Sequence, residues 1–284
     1  LHYVGMDVHK NTISYCVKTR AGRFRGQGII QATRQDLDAW LAKRTQPWIG
    51  AMEATLFSGW VYDHLAPHAR ELKVAHPLML QAITCSKKKN DRVDAEKIAD
   101  LLRADLLPEC YMMPTEMRDL RRVLRYRNLL VREATRMKNK TCGLFMEVGV
   151  EFEKRRLHGK RYFDDFVKNV KDVPPSVIDM ARHSHGFLEL FTDLQKRLVA
   201  GLRQAPLIAD RVRLLMTIDG VGEIGALTWA LEIGDPSRFT SRRQAISYCG
   251  LCGAEEESAG KTRRTPISKQ RNKHLQTMLV EAAK

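Results

Sequence analysis

The first hundred residues alternate short apolar runs with amphipathic ones. Residues 3–8, 12–18 and 24–31 are rich in β-branched and apolar positions, and the Ala21-Gly22 pair separates the last two, which predicts three strands in a meander. Thr33, followed three residues later by Asp36, predicts a helix start, and Leu37, Trp40 and Leu41 give that helix an apolar face. Residues 47–52 predict a fourth strand that ends on Glu53. A helix through 60–65 and a fifth strand over 72–75 follow. The order βββαβαβ, followed by a helix, predicts a mixed sheet with helices on its faces.

From Pro114 the pattern changes to a helical period. Residues 118–140 place Leu120, Val123, Leu124, Leu130, Val131 and Met137 among nine basic residues and only two acids, Asp119 and Glu133, which predicts a long basic amphipathic helix. An irregular polar stretch ends at Pro174-Pro175. A second long helix is predicted over 176–204, with Leu188, Phe191, Leu194, Leu198 and Leu202 on one stripe. Two such helices make an antiparallel arm or coiled coil, or a plain bundle without partner contacts.

A third region begins near Leu214. Residues 218–222 (Ile-Asp-Gly-Val-Gly) sit between an apolar helix and the helical run 224–233, the layout of a helix-hairpin-helix. Gly220 and Gly222 would let backbone N–H groups approach a phosphate, although a plain interhelical turn has the same spacing. A helix over 242–249, a Gly-punctuated loop over 250–266 and a final helix over 267–283 complete the chain. The expected domains are therefore 1–113, an α/β catalytic domain, 114–205, a basic helical arm, and 206–284, a helical domain. Leu1 is not a natural start and Lys284 falls within a helical pattern, so both ends read as incomplete.

Charge sharpens this picture. The 284 residues carry 48 Lys+Arg against 33 Asp+Glu, a formal net charge of +15. Such an excess favours a polyanionic partner, because each neutralised phosphate releases condensed counterions. No apolar run reaches the length of a membrane span, and the N-terminal residues lack a signal pattern, so a cytosolic protein is expected. Of the six cysteines only Cys249 and Cys252 form a Cys-x-x-Cys pair. Without a second pair this predicts reduced thiols rather than a zinc site or a disulfide framework.

Four acids stand where such a sheet would gather them. Asp7 is centred in an apolar strand and Glu53 closes another, positions where a carboxylate is costly unless a cation compensates it. Asp91 and Asp94 open a helix, and their spacing of three places them on one face. These two have ordinary readings as a helix N-cap and a first-turn acid. Together the four predict a site for one or two Mg²⁺ ions, able to stabilise both the attacking and the leaving oxygen at a phosphate. The βββαβαβ order is also that of ribonuclease H-like nucleases.

The segments 87–95 (Lys-Lys-Lys-Asn-Asp-Arg-Val-Asp-Ala) and 234–239 (Gly-Asp-Pro-Ser-Arg-Phe) carry a more specific resemblance. The chain resembles transposases of the insertion-sequence-110 family and the related Piv-type DNA invertases over nearly its whole length. The resemblance implies a RuvC-type domain whose Asp-Glu-Asp-Asp tetrad matches Asp7, Glu53, Asp91 and Asp94. It also implies a C-terminal transposase domain with a serine nucleophile, and Ser258 is the matching position. Many relatives have a second serine where this chain has Glu257. Ser258 without the resemblance reads as an ordinary loop serine, and Ser241 and Ser268 read as helix caps.

Two functions follow. The first is a DNA recombinase: Ser258 forms a phosphoserine link to a cut strand, the tetrad holds Mg²⁺, and the family resemblance implies a structured noncoding bridge RNA that selects donor and target DNA by base pairing. The partners expected are double-stranded DNA, that guide RNA, and further copies of the chain in a dimer and a tetramer on DNA, with active sites that combine protomers. The second is a structure-selective RuvC-like junction endonuclease in which metal-activated water does the cutting. In both, phosphate contacts are expected from Arg118, Arg121, Arg122, Arg125, Arg132, Lys138 and Lys140 on the basic helix, from Gly220 and Gly222, and from Lys261, Arg263, Arg264 and Lys269 near the serine.

Overall fold

In the computed structural model of the chain the alternation over the first thirty residues resolves into three antiparallel strands, β1 (His2–Val8), β2 (Thr12–Thr19) and β3 (Phe24–Gln31). The structure describes residues 1–84, 90–253, 255–258, 260–264, 267 and 271–284. Helix α1 (Arg34–Ala42) leads to β4 (Trp48–Glu53), α2 (Ser58–Leu65) to β5 (Glu71–Ala75), and α3 (Pro77–Thr84) and α4 (Asp91–Arg103) follow. The sheet order is β3-β2-β1-β4-β5. Strands β1 and β2, and β2 and β3, pair antiparallel; β1 and β4, and β4 and β5, pair parallel. This mixed five-stranded sheet with flanking helices is consistent with a ribonuclease H-like fold.

Period two assigns the faces of the sheet. Val4, Met6 and Val8 of β1, Ile13 and Val17 of β2 and Met52 of β4 pack with Leu37 and Trp40 of α1 and Val61 and Leu65 of α2. The opposite face carries Gly5 and Asp7 of β1, Cys16 and Lys18 of β2 and Ala51 of β4, and it is covered by α4. Trp40 links Tyr15 and Trp48 through edge-to-face contacts with centroids 5.5 Å apart.

Residues 1–115 form one compact unit, unit 1, and residues 116–284 a second, unit 2. The basic helix is longer than predicted: α5 spans Thr115–Glu147, 33 residues or about 50 Å. The stretch expected to be irregular contains a further helix, α6 (Lys160–Asn169). Its Phe163 and Val167 are buried with Leu144 and Phe145 near the end of α5 and with Val177 and Ala181 at the start of α7 (Pro175–Arg203). The end of α5 thus meets the beginning of α7, as two antiparallel helices require.

After α8 (Pro206–Leu215), α9 (Glu223–Ile233) packs on both α8 and α11 (Lys273–Ala282), and α10 (Arg242–Cys249) stops at Gly250 in the left-handed region with φ 72°. The glycine-punctuated loop is instead a β-hairpin, β6 (Glu255–Ser258) with β7 (Lys261–Arg264), and Gly260 turns it with φ 77°. The last helix starts at Lys273 rather than Ile267, capped by Asn272. No described helix is long and apolar enough to cross a membrane. Cys16, Cys110, Cys142, Cys249 and Cys252 are free thiols; Cys85 lies outside the described residues.

Candidate active site

Asp7 lies one residue before the end of β1 on the α4 face, 7% exposed, opposite the buried Ser14 of β2. Glu53 ends β4. The parallel register pairs Met6 with Met52, so the next step brings Glu53 level with Asp7 on the same face. Gly5, two residues before Asp7, determines how near α4 comes. A Cβ there would fall on the Ala95 carbonyl oxygen and the Ala99 amide nitrogen, so only glycine lets the helix backbone lie directly on the strand. Small residues continue the seam, with Cys16, Ala95 and Ala99 buried together. Lys18, 6% exposed, fixes the helix further along: its Nζ donates to Asp100 at 2.6 Å and to Glu96 at 2.8 Å. Burial pushes the Lys18 ammonium down, but the hydrogen bonds to Asp100 and Glu96 outweigh it and hold its pKa above the ordinary lysine value.

The first turn of α4 is thereby placed over the end of β1. Asp91 is not the cap expected for it; Asn90 caps the helix, accepting from the Arg92 amide at 3.1 Å, and Asp91 is free to point elsewhere. His9 Nε2 lies 3.1 Å from Asp7 Oδ2 and 3.8 Å from Asp91 Oδ1. One ligand atom from each of Asp7, His9 and Asp91 lies within 4.8 Å of the others. Glu53 and Asp94 share this end of the sheet and helix but stand outside that close group, and Asp94 Oδ1 is 3.7 Å from Lys97 Nζ. Burial pushes the Asp7 carboxyl above the ordinary range. His9 pulls it back, and the charges of Asp91 and Asp94 push it further up. A buried carboxylate surrounded by like charges, with hard oxygen donors 3–4 Å from a common nitrogen, fits a divalent cation.

Sequence reasoning missed His9 and Lys18. Both were visible by parity: Gly5, Asp7 and His9 alternate along one face, and Ser14, Cys16 and Lys18 answer them on β2.

In unit 2, Ser258 is exposed at the end of β6 and pairs with Lys261 across the turn. Glu257 faces Thr262, and Arg264 Nη2 reaches Glu255 Oε1 at 3.2 Å. Lys261, Arg263 and Arg264 are exposed; Lys269 and Ser268 lie outside the described residues. Ser241 does cap α10, accepting from the Gln244 amide at 3.3 Å.

The basic residues of α5 divide. Arg132, Lys138 and Lys140 are exposed, and Arg122 pairs with Asp119 at 2.6 Å. Arg121 is half-buried, and burial pulls its pKa down. Arg118 is also half-buried. Arg125, also expected on a phosphate, donates to Glu232 of α9 from Nε at 2.8 Å and Nη2 at 2.7 Å.

Glu232 is fully buried and also accepts from Asn272 Nδ2 at 2.9 Å, while Tyr248 donates to its carbonyl oxygen at 3.2 Å. Burial alone would raise the Glu232 pKa; the hydrogen bonds from Arg125 and Asn272 lower it below the ordinary value. The network ties α9 to the end of α10 and the start of α11. Residues 234–239, singled out for their resemblance, have a structural part here. Asp235 caps a 3-10 turn by accepting from the Ser237 amide at 2.9 Å, and Arg238 lies over the rings of Phe239 and Tyr248 at 4.1 and 4.4 Å.

Gly220 takes φ 81° in the turn before α9, and Gly222 is the N-cap of that helix. The first turn already holds a carboxylate, Glu223, in a two-point pair with Arg203 at 2.6 and 2.8 Å. Beside the turn, a groove of about 540 Å³ is lined by Arg127, Arg132, Lys273 and His274 as well as the two glycines.

Residues 4–148 match a family profile described as Transposase, the DEDD type of the IS110 group. Residues 212–284 match the profile Transposase IS116/IS110/IS902 family. The chain is 26% identical over 290 residues to the putative transposase y4qE of Sinorhizobium fredii, covering 99% of this chain and 70% of that protein. It is 25% identical over 290 residues to the transposase for insertion sequence element IS1328 of Yersinia enterocolitica, covering 99% of this chain and 82% of the relative. A probable family 20 transposase of Pseudomonas aeruginosa is 28% identical over 228 residues, 76% of this chain and 66% of that one. With an acidic cluster at the end of a mixed sheet and both profiles matched in order, the chain belongs to the IS110 family of insertion-sequence transposases, enzymes that cut and rejoin DNA.

Proposed function

We propose that this transposase cuts DNA through a covalent serine link and rejoins it without water. Ser258 Oγ attacks a backbone phosphorus; the bond from phosphorus to one deoxyribose oxygen breaks, and that oxygen leaves as a hydroxyl after taking a proton. A hydroxyl of another strand then attacks the same phosphorus and releases the serine. The number of phosphodiester bonds is unchanged, so no nucleotide cofactor is needed. Lys261, cross-strand neighbour of Ser258, and the exposed Arg263 supply positive charge near the developing oxyanion. Asp7, Glu53, Asp91 and Asp94 would hold Mg²⁺, and an ion held there would supply charge neutralisation at a phosphate of the DNA.

The observation that carries this reading is Asp7, a carboxylate 7% exposed on a central strand with Asp91 close by, whose burial a bound cation would compensate. The exposed cations of α5 and of the hairpin support contacts to nucleic-acid backbone rather than to base edges. Target choice is then left to a structured noncoding RNA that pairs with the DNA. The working form is an oligomer in the cytosol, a dimer that becomes a tetramer on DNA.

The test is to trap the protein–DNA adduct under denaturing conditions. The wild-type chain in Mg²⁺ should give an adduct whose nucleotide remnant maps to Ser258. Ser258→Ala should lose adduct and recombination while still assembling on nucleic acid. Cutting that persists in Ser258→Ala gives the reaction to a metal-activated water and overturns the serine route.

A further inference from the structure

We propose that His9 is a nitrogen ligand of the metal ion held by Asp7 and Asp91, which makes this a mixed imidazole–carboxylate site that favours Mn²⁺ over Mg²⁺. The inference rests on the metal reading above and adds to it a donor of a different kind.

Three observations carry it. His9 follows Asp7 by two residues, so the pleat of β1 continues Gly5 and Asp7 onto the same face. The turn that holds His9 is pinned, its amide donating to the Thr12 carbonyl at 2.9 Å while the Ala32 amide donates to that of Asn11 at 2.8 Å. The atom turned toward the carboxylates is Nε2, which stands 3.1 Å from an oxygen of Asp7 and 3.8 Å from one of Asp91.

Ligands about 2.1 Å from one ion and at right angles around it are separated by roughly 3 Å, and opposite ligands by roughly 4 Å. The two distances lie within that span. A simple ion pair needs only one of them. Asp7 is pinned in the sheet and Asp91 on a helix that Gly5 and Lys18 hold down, so the three donors approach a common point from separate elements.

The donor set decides the ion. Mg²⁺ takes oxygen ligands, demands near-ideal geometry and dehydrates reluctantly, whereas a directly bound imidazole nitrogen suits a first-row transition ion better. His9 is 52% exposed in its side chain, so its replacement removes a donor without opening the core.

The experiment uses the full chain with one equivalent of Mn²⁺ and pulsed electron paramagnetic resonance. Expected is a nitrogen-14 coupling of the size given by a directly bound imidazole, abolished in His9→Gln, with Mn²⁺ still bound about tenfold more weakly. Titration calorimetry should show a much smaller loss for Mg²⁺ in the same variant. Mn²⁺ bound without nitrogen coupling, or with coupling unchanged in His9→Gln, overturns the role of His9 and leaves the carboxylate site standing. Absence of Mn²⁺ binding, with Asp7→Asn indistinguishable from wild type, overturns both readings.

Discussion

Gly5 and Asp7 impose opposite demands on the same face of β1. At Gly5 the strand must be bare, because Ala95 and Ala99 lie where a side chain would begin. Gly5→Ala is expected to push α4 off the strand at about 2–3 kcal/mol and to cost divalent-ion binding, measured together by denaturant unfolding and calorimetry. At Asp7 the charge is kept against the interest of stability. Its carboxyl is raised by burial, opposed by His9 and raised again by Asp91 and Asp94, so ionisation is harder in the folded chain than in the unfolded one. Asp7→Asn is therefore expected to raise the melting temperature of the metal-free protein, a gain of about 1 kcal/mol, while abolishing recombination. An unchanged or lower melting temperature would show that Asp7 is compensated without a cation. The acids were legible because a carboxylate inside an apolar strand breaks the pattern around it. His9 was not, because a histidine at a turn breaks none; only the two-residue period, continued one step past the strand, brings it to the site.

Among the elements, α4 and the α9–α11 cluster are held by buried polar staples rather than by apolar area alone. Lys18 keeps a raised pKa through Asp100 and Glu96 despite burial. Its contribution is thus fully present below the unfolded lysine value near 10.5 and is lost only as pH rises above it. Lys18→Met should cost about 1–2 kcal/mol at neutral pH, discounted because both acids are partly solvated, and the difference from wild type should vanish in strong alkali.

Glu232 has the opposite sign. Its lowered pKa gives stability that is present above about 4.5, the ordinary value, and lost as pH falls through the folded one. Glu232→Gln should cost about 2–3 kcal/mol at pH 7 and flatten the acid limb of the unfolding curve, since Arg125 loses its partner. The succession of strands along the chain and most helices could be read from periodicity. The short helix α6 was hidden because its cap, Gly159, makes no side-chain bond and its charges of both signs resemble a loop. The hairpin was hidden because an acidic strand faces a basic one with no apolar alternation to mark either, and the Arg125–Glu232 pair joins residues 107 apart in a chain where basic side chains read as solvated.

For the whole molecule the charge of +15 is unevenly available. Arg122 and Arg125 are engaged by acids, whereas Arg132, Lys138 and Lys140 stand exposed. Replacing those three with Gln should lower the salt dependence of nucleic-acid binding by up to about 0.9 in log–log slope for each phosphate no longer neutralised, for every sequence alike. Arg125→Gln should instead act on folding, seen in the melting curve of the free protein. The close group of Asp7, His9 and Asp91 has a mechanical consequence as well. An ion there ties residues 7 and 91, 84 positions apart, and so acts as a removable crosslink that closes a loop through most of the sheet. At one hundred times its dissociation constant such an ion adds about 2.7 kcal/mol to the unit it ties. Calorimetric melting of the wild-type chain should then shift upward when the ion is added, and the shift should be lost in Asp7→Asn. The enzyme would carry a gauge of metal supply in its own stability, its acidic-site unit loosened first when the ion is scarce.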